Sequence, residues 1–278
     1  MKIVGLFFLF IFLTSNVKSQ NGLEKIIVEK YYIADNNDCI NPIPGGNLPT
    51  GSVTYRIFVD MLPGYRFQAA FGIPGHELIL STSTKFFNNE EYGTVSANTI
   101  PQRNLKDNTV ILDSWISVGA GSEFSMGILK SEDDTLNTII HKGNYIQNDN
   151  KEAGIPVKIR DGLIEGFGQR VTQFGIDSLL DVFNNRTIGS TFSTSNGSWA
   201  CMTGAIGPDS ISNKVLIAQM TTDGDFSFEL NIQIGTPDGK YQRYVAKNPT
   251  DNEILLPSLL FNSKDSKHKT SKKKNRNT

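Results

Sequence analysis

Asp225-Phe-Ser-Phe-Glu-Leu-Asn-Ile-Gln-Ile-Gly235 decides the fold class. Phe226, Phe228, Leu230, Ile232 and Ile234 alternate with Ser227, Glu229, Asn231 and Gln233, the two-residue period of a strand with one face on a core and the other toward water. Lys214–Thr222 precedes it across Asp223-Gly224, a dipeptide suited to the positive φ angles of a type I′ hairpin turn. Thr236-Pro-Asp-Gly239 follows, and then the short alternating run Tyr241–Ala246. The spacing predicts a three-stranded antiparallel meander over 214–246.

The same grammar extends toward the N-terminus. Val53, Tyr55, Ile57 and Val59 share a face, Pro63-Gly64 makes a turn, and Tyr65–Phe71 returns, which predicts a second hairpin. Further strands are expected at 26–33, 77–86, 109–118 and 123–129. Pro257 confines the apolar run 254–261 to an edge or irregular segment. Ile176–Phe183 reads as the one short helix, with Asp177 at its N-cap. With 25 Gly and 11 Pro among many Thr, Ser and Asn, the chain is expected to be all-β, an antiparallel sandwich of jelly-roll type.

Phe87-Asn-Asn89, Gly93-Thr94, Ser114-Trp115 and Gly119-Ala120 are echoed by Phe183-Asn-Asn185, Gly189-Ser190, Ser198-Trp199 and Gly204-Ala205. Duplication of one β module and coincidence among Asn- and Gly-rich loops both account for the echo. The expected organisation is therefore a signal peptide at 1–19, a first half at 20–130, a polar connecting segment at 131–162, a second half at 163–261 and a basic tail at 262–278.

Lys2 precedes the apolar run Ile3–Leu13, which is too short for a mature bilayer span, and Val17-Lys18-Ser19 offers compact residues for cleavage before Gln20. Export is expected, to the cell surface or medium and without a transmembrane anchor. The tail carries six Lys and one Arg against one Asp, a net of +6, whereas residues 20–261 hold 18 basic against 27 acidic residues, a net of −9. An acidic body repels polyanions and the tail attracts them. Asn185-Arg-Thr187 and Asn196-Gly-Ser198 fit the glycosylation sequon, which has meaning only in a eukaryotic host.

Leu48-Pro-Thr-Gly-Ser-Val-Thr-Tyr-Arg-Ile-Phe-Val-Asp60, Ala70-Phe-Gly72, Phe86-Phe-Asn-Asn-Glu90, Leu112-Asp-Ser-Trp115 and Val215–Gly235 resemble a recurrent extracellular β module of secreted and surface proteins from Bacteroidetes-type bacteria. The resemblance covers most of residues 26–260. It implies export and a β fold, and brings no activity or catalytic residues with it. Proteins of that kind often end in a β-type sorting domain of the type IX route, and this chain ends in its Lys-rich tail instead.

Chemistry is sparsely signalled. His occurs only at 76, 141 and 268, and His76-Glu77 has Leu80 where a metalloprotease helix needs its second His, so His76 reads as a loop residue bonded locally. No Gly-x-Ser-x-Gly elbow, P-loop or dinucleotide fingerprint is present, and no cofactor is identified. Asp113, Glu165 and Glu229 are the carboxylates a glycosidase pair would draw on. Asp113 and Trp115, on one face of the expected strand, together with Trp199, are the candidate contacts for a glycan, since an aromatic plate beside an acid suits a sugar ring; packing of Trp115 beneath a second layer is the alternative. Asp35 and Asp38, with the acidic and Asn-rich loops near 132–134 and 148–150, supply oxygen ligands for calcium without EF-hand spacing; turn formation alone also explains such loops. Cys39 and Cys201 permit one intramolecular disulfide, or stay as two buried thiols. The functional expectation is a secreted, non-catalytic binding or surface-structural protein contacting glycans or matrix, with a polysaccharide hydrolase or lyase as the alternative.

Overall fold

A computed structural model describes residues 21–38, 45–106, 109–134, 146, 150–184 and 190–265. In chain order its strands are β1 (Leu23–Ile33), β2 (Val53–Met61), β3 (Arg66–Gly72), β4 (Leu78–Thr82), β5 (Trp115–Ile116), β6 (Ala120–Ser122), β7 (Ser125–Gly127), β8 (Leu163–Glu165), β9 (Thr172–Phe174), β10 (Thr191–Thr194), β11 (Gly197–Ala205), β12 (Lys214–Thr222), β13 (Phe226–Glu229), β14 (Ile232–Gly235), β15 (Tyr241–Val245), β16 (Glu253–Leu255) and β17 (Leu260–Asn262). The chain is mostly β and is built as an antiparallel sandwich. Its central sheet runs β1-β2-β12-β5; opposite it lie β16-β15-β14-β3-β11-β9 and β10-β4-β13-β17, and a small sheet β6-β7-β8 forms a separate ladder. None of the described helical segments is long and apolar enough to cross a membrane.

The main core lies between the central sheet and the two sheets facing it. Tyr55, Ile57 and Val59 of β2 and Val215, Ile217 and Met220 of β12 meet Phe67, Trp199, Ile232 and Ile234 from one side and Leu80, Phe192, Phe226 and Phe228 from the other. Each such side chain contributes about 1.5–3 kcal/mol by leaving water. The strict alternation of Phe226–Ile234 is the inward half of this layer.

Both expected hairpins are corrected. β2 pairs with β1 and β12, whereas β3 pairs with β11 and β14. Likewise β12 pairs with β2 and β5, and β13 pairs with β4 and β17. At Pro63-Gly64 and again at Asp223-Gly224 the chain therefore crosses from one layer of the sandwich to another. Gly224 is not at positive φ; it is needed for space, because a Cβ there would lie 2.6 Å from the hydroxyls of Thr82 and Thr84. The run 225–235 breaks at Leu230-Asn231, β13 going to one sheet and β14 to another. Of the meander only the β14–β15 hairpin forms, closed by Gly239 at φ 81°.

Other expectations hold or shift in detail. The segment at Pro257 is irregular as read: β16 and β17 lie at sheet edges, joined through a 3-10 turn at Pro257–Leu259. The short helix is a 3-10 segment, Asp177–Phe183, whose N-cap is Ile176, so Asp177 lies inside it and makes no cap. The 109–118 run is not a continuous strand: Val110–Leu112 is a 3-10 turn, and only Trp115 and Ile116 pair with β12. Strands from before residue 130 and from after residue 163 share the central sheet and the sheet opposite, so the two sequence halves build common layers.

The second face of the central sheet is also covered. Tyr31, Tyr32, Phe58, Leu216 and Trp115 pack under a layer made by Phe87, Ala97, Ile100, Leu105, Val110–Leu112, Val157 and Leu163. From the connecting segment, Ile146 and Val157 belong to this layer. A polar knot pins it there. Arg56 Nε donates to Gln219 Oε1 at 2.8 Å and its Nη1 to the carbonyls of Asp161 and Gly162 at 3.2 and 3.0 Å, while the guanidinium lies 3.5 Å from the centre of the Tyr31 ring. Lys130 Nζ donates to the carbonyls of Tyr31, Ala153 and Ile155. Burial holds the Lys130 ammonium down at about 8 and pushes the neighbouring Glu29 carboxyl up, against the pull of Arg56.

Candidate functional site

The residues singled out in the sequence are mostly interior. Trp115 is 1% exposed and Trp199 0%, and Asp113 is fully buried. As outward contacts for a glycan all three are corrected: they are interior, and Trp115 takes the alternative, packing beneath a second layer. The physical reason is the covering layer: Phe87, Ala97, Ile100, Leu105 and Val110–Leu112 close over the face on which Trp115 lies. Trp199 faces the main core, edge-on to Phe192 at 6.1 Å. Asp113 Oδ1 accepts from the Asn89 backbone at 2.7 Å, and desolvation pushes its carboxyl well above the ordinary range. Its backbone carbonyl accepts from Gln219 Nε2. The Asp113 side chain thus closes the loop at Asn89, with no route to a solvent-borne substrate.

The other two carboxylates lie elsewhere. Glu229 sits on β13, 2.5 Å from Lys247 Nζ, and Glu165 ends β8. Asp38 accepts from Tyr32 Oη and the Asp35 backbone, both at 2.9 Å, and its carboxyl is raised to about 6 by burial. Asp35 accepts from the Asn37 backbone at 2.8 Å, so the pair forms a tight turn. Among the described residues no group of three His, Cys, Asp or Glu is placed to hold a metal ion. Cys201 is a buried free thiol, 3.6 Å from Thr203 Oγ1; Cys39, its proposed partner, lies outside the described residues. The tail beyond residue 265 and Asn185 of the first sequon lie outside them as well. His76 is not bonded locally through its ring: Nε2 meets Glu253 Oε2 at 2.9 Å, joining the β3–β4 turn to β16.

The structure instead presents a groove that the sequence reading missed. It crosses the outer face of the six-stranded sheet, with a volume of about 450 Å3. Phe174 of β9 stands at one end, Met202 of β11 beside it, and Gln68, Gln233 and Arg243 cross the far side on β3, β14 and β15. Phe174 is 47% exposed, Met202 73% and Tyr241, next to the groove, 59%. Spanning β15 to β9 takes four strand spacings, about 19 Å.

The polar floor is ordered in advance. Arg243 Nε donates to Gln233 Oε1 at 3.0 Å, and Gln233 Nε2 donates to Gln68 Oε1 at 3.0 Å. The Arg243 guanidinium is flanked by the rings of Tyr241 and Phe71, 5.2 and 5.7 Å from their centres. These residues alternate outward on strands whose inward neighbours, Ile232, Ile234 and Tyr244, are core, so the groove floor is fixed by the packing beneath it. Each residue was legible as an outward position on its strand. Their adjacency also needed β3 beside β14, which the reading of two separate hairpin units denied. No protein-family model, curated protein or solved structure matches the chain.

Proposed function

We propose that this is an exported, non-catalytic binding protein of the cell surface, holding a segment of extracellular glycan in the groove across the outer face of the six-stranded sheet. One observation carries the reading: half-exposed aromatic and thioether side chains at Phe174, Met202 and Tyr241 flank a pre-ordered row of side-chain amides and a guanidinium. Apolar faces cover the C–H side of a pyranose, and amides take its hydroxyls. The apolar leader Ile3–Leu13 supports export, and the basic tail supports a second, electrostatic contact with an anionic surface.

The test is retention of the purified protein on a panel of soluble and insoluble polysaccharides, with released sugar ends and unsaturated products recorded in parallel. Retention without product, weakened about tenfold or more in Phe174→Ala, is the expected result. Product accumulating with time would turn the reading to a polysaccharide hydrolase or lyase. Absence of retention on every member would remove the glycan and leave a structural role.

A further inference from the structure

Arg243 is the groove's unspent charge. Its register partner on β16 is Glu253, the natural neutralising group, yet the Glu253 carboxylate turns away to His76 Nε2 at 2.9 Å and to the backbone and hydroxyl of Thr250 at 2.8 and 2.9 Å. Gln233 takes only the Nε–H. Among the described residues no ion pair reaches the guanidinium and no Asp or Glu lines the groove itself; the adjoining hollow at Tyr241 holds Glu253, whose carboxylate is already taken by His76 and Thr250. This cation stands on a body whose net charge is −9. A guanidinium with both Nη groups open, steered by a Gln on one side and rings on the other, is a planar fork matched to a carboxylate.

We infer that the groove selects a glycan bearing carboxylates, a uronate-containing polysaccharide, and that Arg243 pairs with a sugar carboxylate while Phe174 and Met202 cover an adjoining ring. This rests on the glycan reading above and names its substrate class. An acidic peptide fits less well. Extended peptides add to a sheet edge, where main-chain groups are free, and the groove crosses β14 and β3, each paired with a strand on both sides, and β11, paired on both sides over Ser198–Ala200.

The test is calorimetric titration of the intact protein, its Arg243→Gln and Gln233→Glu variants, and a form lacking 262–278, with oligogalacturonate, a neutral cello-oligosaccharide and poly-glutamate. Gln233→Glu keeps an acceptor for Arg243 Nε while placing a carboxylate beside the guanidinium, and matching melting temperatures show that either variant is folded. The expected result is oligogalacturonate binding that weakens at least tenfold in both variants, falls with salt and survives loss of the tail. Equal binding of the neutral oligosaccharide, unaffected by Arg243→Gln, would overturn the carboxylate and leave the glycan reading standing. Oligogalacturonate binding lost only with the tail, or matched by poly-glutamate, would also overturn it. No binding by any sugar, with folded protein, would remove the glycan reading itself.

Discussion

Arg56→Met removes the centre of the knot that holds the covering layer to the central sheet. The substitution keeps much of the side-chain stem and takes away a guanidinium that donates to Gln219 and to the carbonyls of Asp161 and Gly162 and lies on Tyr31. Each stranded buried acceptor costs about 1–3 kcal/mol, and the three at Gln219, Asp161 and Gly162 together bring the loss to at least about 3 kcal/mol. With a urea slope of about 2–3 kcal/mol/M, the midpoint should fall by roughly 1–2 M. Arg56→Lys restores the charge without the fork and should recover only part of the loss. Equilibrium urea unfolding followed by fluorescence measures both, and hydrogen exchange over residues 150–163 should accelerate more than exchange in β14 and β3. A midpoint shift under about 0.3 M, several-fold below the roughly 1–2 M expected, or acceleration spread evenly over the chain, would refute the idea that Arg56 anchors this layer.

Asp38→Asn tests a pH dependence. Burial raises the folded Asp38 carboxyl from 3.8 to about 6, so the folded state binds the proton more tightly and wild-type stability falls as pH rises from about 4 to 6, by roughly 3 kcal/mol. The variant should lack that component in unfolding curves taken at pH 4 and pH 7. Asp113→Asn should act in the same direction, gaining on wild type as pH rises above the ordinary carboxylate range, because burial raises Asp113 too; an equal difference at pH 4 and pH 7 would contradict this. Gly72→Ala should cost about 3 kcal/mol, since its Cβ would lie 2.0 Å from the Thr194 carbonyl oxygen, and a calorimetric melting temperature unchanged within 2 °C would rule that clash out. Cys201 should react with a thiol reagent only after denaturation, being 3% exposed; rapid native labelling would show that β11 opens.

Which positions face the core was readable from the chain alone. Alternation in Val53–Val59 and Phe226–Ile234 marks the inward side chains, because a strand repeats every two residues whatever it pairs with. Pro257 likewise forecast the irregular edge, since a residue without an N–H cannot serve a central ladder. Pairing was not readable: a turn such as Pro63-Gly64 reverses the chain equally well within a sheet or across a sandwich, and only packing of the whole core chooses between them. The same ignorance hid the groove, where Gln68 lies far in the chain from Gln233 and Arg243 and meets them through the β3–β14 pairing. It also left Trp115 open between a glycan contact and a side chain packed beneath a second layer, and could not place Asp113 inside. One-strand periodicity separates two faces but cannot say that both are buried, and the layer that covers them comes from segments without a period of their own. Sequence set the β class and the inward faces through local geometry; neighbours, covered faces and the open guanidinium of Arg243 are properties of distant chain brought together, and only the tertiary structure decided them.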